Sequence, residues 1–209
     1  MTTRISAGPP CGEARSDFSR ILVESFPAEE RDEPGHVLAS IEAGVRRCFM
    51  AHSAGRLVGL AVVLPLRTAS AVLLEYLAVD PLARGGGLGG ELFERVVVDL
   101  HAADSPPDGL IFEVDPPEEA AGDERQIRLR RIAFYERHGA VLITGVGTYR
   151  APSLTGSGEV PYRLMWRPVK VDLPDTSHLL QVIRAVLVED YGCSPQSPLV
   201  QTVLGSTGV

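Results

Sequence analysis

The feature that most constrains this chain is a glycine-rich stretch, VDPLARGGGLGG, at residues 79–90. Five of these twelve residues are glycine, and they follow directly on an apolar run. Glycine inside a helix or strand costs roughly 0.5–1 kcal/mol relative to alanine, because its backbone loses more freedom on folding. A run of this kind therefore indicates a tight turn or a close approach of the backbone to a ligand.

Two common phosphate-binding patterns fit this stretch poorly. A P-loop requires a lysine after its last glycine, but here Glu91 follows and would repel a triphosphate. A dinucleotide fingerprint is matched literally by Gly85, Gly87 and Gly90, with Glu113 near the usual distance of the acidic residue. However, the segment DPLAR separates these glycines from the preceding strand, and too few strand–helix repeats follow. A nucleotide-dependent oxidoreductase is therefore the weakest of the alternatives.

A third pattern, Arg-x-x-Gly-x-Gly, is met by Arg84, Gly87 and Gly89. Here the chain leaves a strand, turns through glycines and begins a helix whose first amides have no partner within the helix. Those N–H groups and the helix dipole favour an anion, and the missing side chains let a diphosphate approach the backbone.

The rest of the sequence predicts an α/β fold. Residues 1–14 are rich in glycine, proline and serine and are predicted to be disordered. Apolar spacing and turn signals predict helices at 16–26, 34–44, 88–100, 124–139 and 174–192, and strands within 46–66, 70–80, 110–114, 140–144 and 156–169. A strand meander precedes the strand–helix units, so we expect a mixed, twisted sheet with helices on both faces and an added C-terminal helix.

Composition restricts the possible partners. The 209 residues carry a net charge of −7, which argues against nucleic acid and suits a cationic partner such as an amine. Without an apolar stretch near the roughly 18 residues that span a bilayer, or an apolar signal segment, we expect a cytoplasmic protein without membrane association. The three cysteines and five histidines show no ligand spacing, so neither disulfides nor a metal site are predicted.

Two motifs together carry a family resemblance. LLEYLAVDPLARGGGLGGELFERVV, residues 73–97, closely resembles the acetyl-CoA-binding motif of the GNAT acetyltransferase superfamily. RIAFYERHGAV, residues 131–141, is similar to the second motif of that superfamily, a helix with a tyrosine followed by a glycine turn and a strand. The resemblance implies a GNAT-type acyl-CoA acyltransferase domain over residues 15–169, followed by a C-terminal helix and tail at 170–209.

The resemblance also implies how acetyl-CoA, the co-substrate, is bound. The backbone of Leu77, Ala78 and Val79 is expected to pair with the pantetheine arm. The amides of seven successive residues are expected to hold the pyrophosphate: Arg84, Gly85, Gly86, Gly87, Leu88, Gly89 and Gly90.

Three side chains are candidates for proton transfer. Tyr135 is implied to lie beside the thioester sulfur, where its hydroxyl can act as the general acid. An alkyl amine is mostly protonated at neutral pH, so a base is also needed. Glu75 lies four residues before Val79 and on the same face of its strand, while Glu113 ends the next strand in FEVD. Either carboxylate can serve directly or through water, and deprotonation of the amine by solvent is a further alternative.

These residues predict an acetyl-CoA-dependent N-acetyltransferase that transfers the acetyl group directly to a primary amine, most simply that of a small molecule. A protein or peptide amine is the first alternative. A non-catalytic CoA-binding protein of the same fold is the second, because the chain has no asparagine, which many relatives carry ahead of the tyrosine. The segments SFPAEERDEPGHV, with Asp32, and YRAPSLTGSGEVPYR, with Tyr149 and Tyr162, are predicted to be surface loops, with acceptor binding as the alternative. The oligomeric state, monomer or homodimer, is left open.

Overall fold

The computed structural model describes residues 3–144, 149–156 and 158–205. Its helices are α1 (Glu13–Ser25), α2 (Pro34–Glu42), α3 (Leu88–His101), α4 (Gly122–Arg137), α5 (Thr176–Ala185) and α6 (Pro198–Gly205). Its strands are β1 (Arg4–Ala7), β2 (Arg47–Ser53), β3 (Arg56–Pro65), β4 (Ala71–Val79), β5 (Gly109–Val114), β6 (Val141–Leu142), β7 (Tyr149–Pro152) and β8 (Glu159–Pro168). No helix within these ranges is long and apolar enough to cross a lipid bilayer.

The strands form one mixed sheet in the order β1-β2-β3-β4-β5-β8-β6, and β7 pairs with β8. The pairing of β4 with β5 is parallel, whereas β2 pairs antiparallel with both β1 and β3. The chain forms two compact units, Met1–Pro65 with Leu74–Asp104 and Leu66–Leu73 with Ser105–Val209. The expected mixed α/β sheet is confirmed.

In the first unit, helices cover both faces of the sheet. The side chains of α1 and α2 pack on one face in a cluster formed by Phe18, Ile21, Leu22, Val37, Leu38, Ile41, Cys48, Met50, Leu57, Leu60, Val62, Tyr76 and Ala78. On the other face, Gly59 of β3 leaves room for α3, since a Cβ there would lie 2.9 Å from Leu92 Cδ1 and 3.2 Å from the Ala78 carbonyl oxygen. Side chains alternate along a strand, so α3 lies opposite the face that holds Leu60.

The second unit is built around β5. Ala71–Leu73 of β4 pair with Gly109–Ile111 on one side of β5, and β8 pairs antiparallel on the other. Trp166 of β8 is fully buried, and its indole N–H donates to the Val171 carbonyl oxygen at 3.0 Å. Helix α4 packs against β5 and β6, and α5 follows after Asp175, whose carboxylate accepts from the His178 N–H at 2.8 Å.

For residues 3–14, the structure corrects the prediction of disorder, while residues 1–2 lie outside the described residues. Arg4–Ala7 form β1, which pairs antiparallel with β2, and α1 already begins at Glu13. An added strand satisfies backbone N–H and C=O groups that β2 would otherwise expose at the sheet edge. The composition of residues 1–14 does not predict this pairing, because the pairing depends on the backbone rather than on the side chains.

The segments after α4 also differ from expectation. Residues 149–163, predicted as a surface loop, include the hairpin of β7 and β8, in which Tyr149 opposes Tyr162 and both side chains are buried. The helix predicted at 174–192 consists of α5 and a π-helical turn at Val186–Asp190. The tail, which showed no clear periodicity, contains α6. Residues 145–148, 157 and 206–209 lie outside the described residues.

Replacement of Gly109 by alanine is expected to destabilise the protein. An added Cβ would lie 2.1 Å from Trp166 Cζ2, and the indole is fixed by burial and by its hydrogen bond. Overpacking of this kind costs about 1–3 kcal/mol, which urea unfolding followed by circular dichroism would measure. Gly35→Ala in α2 is the matched control, since its Cβ would meet nothing within 4 Å. Equal stability of Gly109→Ala and the wild type would contradict this packing.

Candidate functional site

The glycine-rich loop leaves β4 at Asp80, which fixes its course. The Asp80 N–H donates to the Val58 carbonyl oxygen at 2.9 Å. Its buried carboxylate accepts from the Leu82 N–H at 2.9 Å and from the Arg20 guanidinium at 2.6 Å. These two hydrogen bonds, the one from Leu82 first, lower the pKa of Asp80, so the carboxylate is ionised when it caps the turn Pro81–Ala83.

The loop then passes through three glycines whose side-chain positions face open space. Gly85 and Gly87 have φ values of 87° and 83°, a region that strains residues with a side chain. Gly86 does not have a positive φ, and a Cβ on any of the three would meet nothing within 4 Å. The backbone is therefore accessible from the side on which a larger residue would project.

The amides at the start of α3 are available to a ligand. Among the described residues, the N–H groups from Gly85 to Gly90 donate to no backbone carbonyl, and Glu91 is the first that does, to Gly87 O at 3.1 Å. No side chain caps this helix end in the described part of the chain. Consecutive free N–H groups and the positive end of the helix dipole favour a bound anion. The exposed Glu91 opposes it, but the open backbone and free amides fit a diphosphate.

A cavity of about 440 Å³ lies beside the loop within the first unit. Gly86 and Glu91 line it, together with Arg20, Arg56 and Asp80. Both guanidiniums already bind carboxylates, Arg20 at Asp80 and Arg56 at Asp17. The arginines in this cavity are thus engaged in anchoring the loop and the β2–β3 hairpin.

The other residues expected to bind acetyl-CoA lie before and within this loop. The Arg84 side chain turns back and donates from Nε to the Val79 carbonyl oxygen at 2.9 Å. The pairing of β4 with β5 covers Ala71–Leu73 and does not extend to Leu77–Val79. The last three residues of β4 can therefore offer main-chain groups to an extended ligand.

Glu75 is held by the guanidinium of Arg46. Its side chain is 3% exposed, and Arg46 Nε donates to Oε1 at 2.7 Å and to Oε2 at 2.9 Å. The same guanidinium binds Asp32 at 3.0 Å and Ser40 Oγ at 3.1 Å. Both carboxylate oxygens are therefore committed to one fixed partner, which suits a structural ion pair better than proton exchange with a substrate.

Glu113 lies in a different environment, among hydroxyl groups. The Tyr191 hydroxyl donates to its Oε2 at 2.6 Å, while Oε1 is buried and has no hydrogen-bond partner in the described part of the chain. Burial raises the pKa of Glu113 to about 7, against the opposing effects of the Tyr191 and Tyr149 hydroxyls. The Tyr149 hydroxyl is close enough to act electrostatically but does not have the geometry of a hydrogen bond, since it too is unpartnered among the described residues. A carboxyl group that titrates near neutrality can accept and release protons.

Tyr135 lies on α4 within an aromatic cluster. Its ring centroid is 4.4 Å from that of Phe112 and 5.0 Å from that of Phe134. Burial raises the pKa of Tyr135 to about 12, although the charge of Arg131 acts in the opposite direction. Its hydroxyl therefore stays protonated at neutral pH.

The predicted site residues fall into two groups. Glu75, Leu77–Val79 and Arg84–Gly90 lie in the first unit, and Glu113 and Tyr135 lie in the second. Three important neighbours were not assigned these roles from sequence: Arg46, Asp32 and Tyr191. No local pattern marks Arg46. Tyr191 lies near the end of the predicted helix at 174–192, where nothing in the sequence indicates a contact with Glu113. Within the described ranges, no group of three or more His, Cys, Asp or Glu residues could hold a metal ion.

Comparisons with known proteins agree with this geometry. Residues 44–139 match the family model described as an acetyltransferase (GNAT) domain. This range contains the glycine loop, Glu75, Glu113 and Tyr135. No curated protein sequence matches the chain significantly.

Solved structures share the fold at low sequence identity. A GNAT-family protein from Bacteroides thetaiotaomicron is 21% identical, with a TM-score of 0.69, over 91% of this chain and 99% of that one. The ribosomal-protein-S18-alanine N-acetyltransferase of Escherichia coli is 20% identical, with a TM-score of 0.57, over 83% of this chain and 97% of that one. A phosphinothricin acetyltransferase of Sinorhizobium meliloti, solved in complex with AcCoA, is 18% identical, with a TM-score of 0.57, over 80% of this chain and 89% of that one. Residues 44–139 thus match the GNAT acetyltransferase domain, and the chain shares its fold with these solved acetyltransferase structures.

Proposed function

We propose that this protein transfers the acetyl group of acetyl-CoA directly to a primary amine of a small molecule. The observation that carries the proposal is the run of free amides from Gly85 to Gly90 at the start of α3, beside glycines that leave the backbone open. An S. meliloti relative of the same fold, although only 18% identical, was solved in complex with AcCoA. When bound, acetyl-CoA supplies the thioester that the amine attacks.

In this proposal the first unit binds the co-substrate. The amides from Gly85 to Gly90 hold the pyrophosphate, since they form a row of donors at a helix N-terminus. The Arg84 N–H already donates to the Pro81 carbonyl oxygen at 3.5 Å and is left out of this row. The main chain of Leu77–Val79 orients the pantetheine arm by strand-like hydrogen bonds, and the Val79 N–H donates to the thioester oxygen. Asp80 and Arg20 keep these donors in place by fixing the start of the loop.

Substitution of Gly86 tests this binding site. Gly86→Glu is expected to weaken acetyl-CoA binding at least tenfold, because a carboxylate would project over the amides that hold the pyrophosphate. Gly86→Ala is the matched control and should bind within about threefold of the wild type, since its Cβ has space and its φ is not positive. Isothermal titration calorimetry measures both, and a tenfold change corresponds to about 1.4 kcal/mol.

Parallel titrations with CoA and NADH separate the alternatives. Binding of NADH in place of acetyl-CoA would point to the dinucleotide-binding alternative. Equal acetyl-CoA affinities of Gly86→Glu and the wild type would remove the glycine loop from the binding site.

We assign the proton-accepting role to Glu113 rather than to Glu75. The Glu75 carboxylate is occupied by Arg46 at both oxygens, whereas Glu113 has one oxygen without a partner among the described residues and a pKa raised to about 7 by burial. The ionised Glu113 can take the proton that an alkyl ammonium must lose before it attacks.

This role has a pH signature. A base must be ionised, so the contribution of Glu113 is present above its pKa and is lost as the pH falls through about 7. In steady-state assays we expect Glu113→Gln to lower kcat/KM by about 10²-fold or more above pH 7, and by progressively less below it. The ratio of wild type to variant with the same amine cancels the protonation of the amine itself. A ratio that does not change with pH would exclude Glu113 as the base.

Tyr135 is the proposed proton donor to the departing thiolate. Its pKa of about 12 keeps the hydroxyl protonated across the working range, and packing against Phe112 holds the ring in place.

Tyr135→Phe is therefore expected to lower kcat by at least tenfold while acetyl-CoA affinity stays within about threefold, because the ring remains and only the acid is lost. The rate of CoA thiol release at saturating substrates gives kcat, and isothermal titration calorimetry gives the acetyl-CoA affinity. A fall in turnover of less than about threefold would remove Tyr135 from the acid role.

The acceptor is proposed to be cationic and small. The net charge of −7 attracts a protonated amine over long range. A panel of small primary amines, tested against peptides with free N-termini, distinguishes a metabolite acceptor from a protein acceptor by the rate of CoA release. Acetyl-CoA binding without release on any amine would favour the non-catalytic alternative.

A further inference from the structure

The segment that follows α5 is fixed to the rest of the second unit by a buried carboxylate. Glu189, whose side chain is 4% exposed, accepts from the backbone N–H of Arg67 at 2.8 Å and of Thr68 at 2.9 Å. The Thr68 hydroxyl also donates to it. Although burial opposes ionisation, the hydrogen bonds from Thr68 and Arg67 keep the pKa of Glu189 below its usual value. An ionised carboxylate with several donors is a strong anchor for the π-helical turn.

Two residues after this anchor, Tyr191 reaches Glu113. The Tyr191 N–H donates to Val186 O at 3.4 Å, and the Cys193 N–H donates to Leu187 O at 2.9 Å, so the main chain is held on both sides of the tyrosine. From this position the Tyr191 hydroxyl donates to Glu113 Oε2 at 2.6 Å. The orientation of the hydroxyl thus follows from main-chain geometry rather than from the tyrosine alone.

The groups that act on Glu113 come from two elements: Tyr149 lies on β7, and Asp190 and Tyr191 lie in the C-terminal segment. Tyr162, on β8, acts on the two tyrosines rather than on the carboxylate. Burial raises the pKa of Tyr149 and of Tyr191 well above that of a free tyrosine, so both remain neutral hydroxyls at working pH. The charge of Asp190 disfavours the ionised form of Glu113, so the hydroxyls of Tyr191 and Tyr149 are the groups that favour the carboxylate.

We propose that Tyr191 is a positioning residue for the proposed proton acceptor: its hydroxyl holds Glu113 Oε2, stabilises the ionised carboxylate and leaves Oε1 to receive the proton. This inference rests on the proposed function and extends it to the C-terminal segment. The proton moves from the ammonium nitrogen to Glu113 Oε1, and Tyr191 keeps its own proton throughout.

Tyr191→Phe tests the proposal because it removes the donor and keeps the ring. The lost hydrogen bond favoured the charged form, so the pKa of Glu113 is expected to rise. In the plot of kcat/KM against pH, the acidic limb should then move to higher pH by about one unit. The value of kcat/KM at high pH should change little. Thr68→Val is the control for a loss of stability alone: it removes one donor to Glu189 but keeps the two backbone N–H donors that hold the segment, so the limb should not move. A limb at the same pH in Tyr191→Phe and the wild type would overturn the positioning role.

A second readout does not need an active enzyme. In protein labelled with ¹³C at glutamate carboxyl groups, the Glu113 signal is identified by its absence in Glu113→Gln and followed by NMR from pH 5 to 9. A titration that moves upward in Tyr191→Phe supports the coupling, and an unchanged titration overturns it. If the signal shifts but no amine is acetylated by any variant or by the wild type, the coupling stands and only the proposed function fails.

Discussion

The course of the glycine loop depends on the ionised carboxylate of Asp80. A run of glycines has little conformational preference, so its direction must be imposed at its two ends. At one end Asp80 binds Arg20 of α1 and the Leu82 amide, and at the other end α3 packs closely on Gly59 through Leu92. Between these fixed points the amides from Gly85 to Gly90 are left free. The proposed binding site is thus a consequence of packing at its borders, and the loop itself contributes mainly the absence of side chains.

The two candidate carboxylates show how partners separate the roles of identical side chains. Glu75 contacts a guanidinium, which donates to both of its carboxylate oxygens. Glu113 meets hydroxyl groups and a neighbouring acid, which leave its charge sensitive to pH near neutrality. A cation stabilises one protonation state strongly, whereas neutral donors in a buried setting stabilise it only partly. This difference is why the proton-accepting role is proposed for the second residue.

Much of this arrangement could be predicted from sequence, and the remainder depends on contacts that are distant along the chain. Local patterns predicted the glycine loop, α3, the tyrosine of α4 and the mixed sheet, because periodicity and turn residues act over a few positions. They did not predict β1, whose pairing with β2 is between backbones, or the buried hairpin that brings Tyr149 opposite Tyr162. Nor did they distinguish Glu75 from Glu113, since Arg46 is 29 residues from the former and Tyr191 is 78 residues from the latter.

The separation of Glu113 from Tyr191 also affects how the protein matures during synthesis. A chain emerging from the ribosome folds from its N-terminus, and β5 is made long before the segment that carries Tyr191. The glycine loop, which is proposed to bind the co-substrate and precedes β5, can therefore form on a nascent chain before the carboxylate of Glu113 has its hydroxyl partner. In the proposed mechanism, the order of translation then separates formation of the binding loop from the positioning of the proton acceptor, which waits for the C-terminal segment.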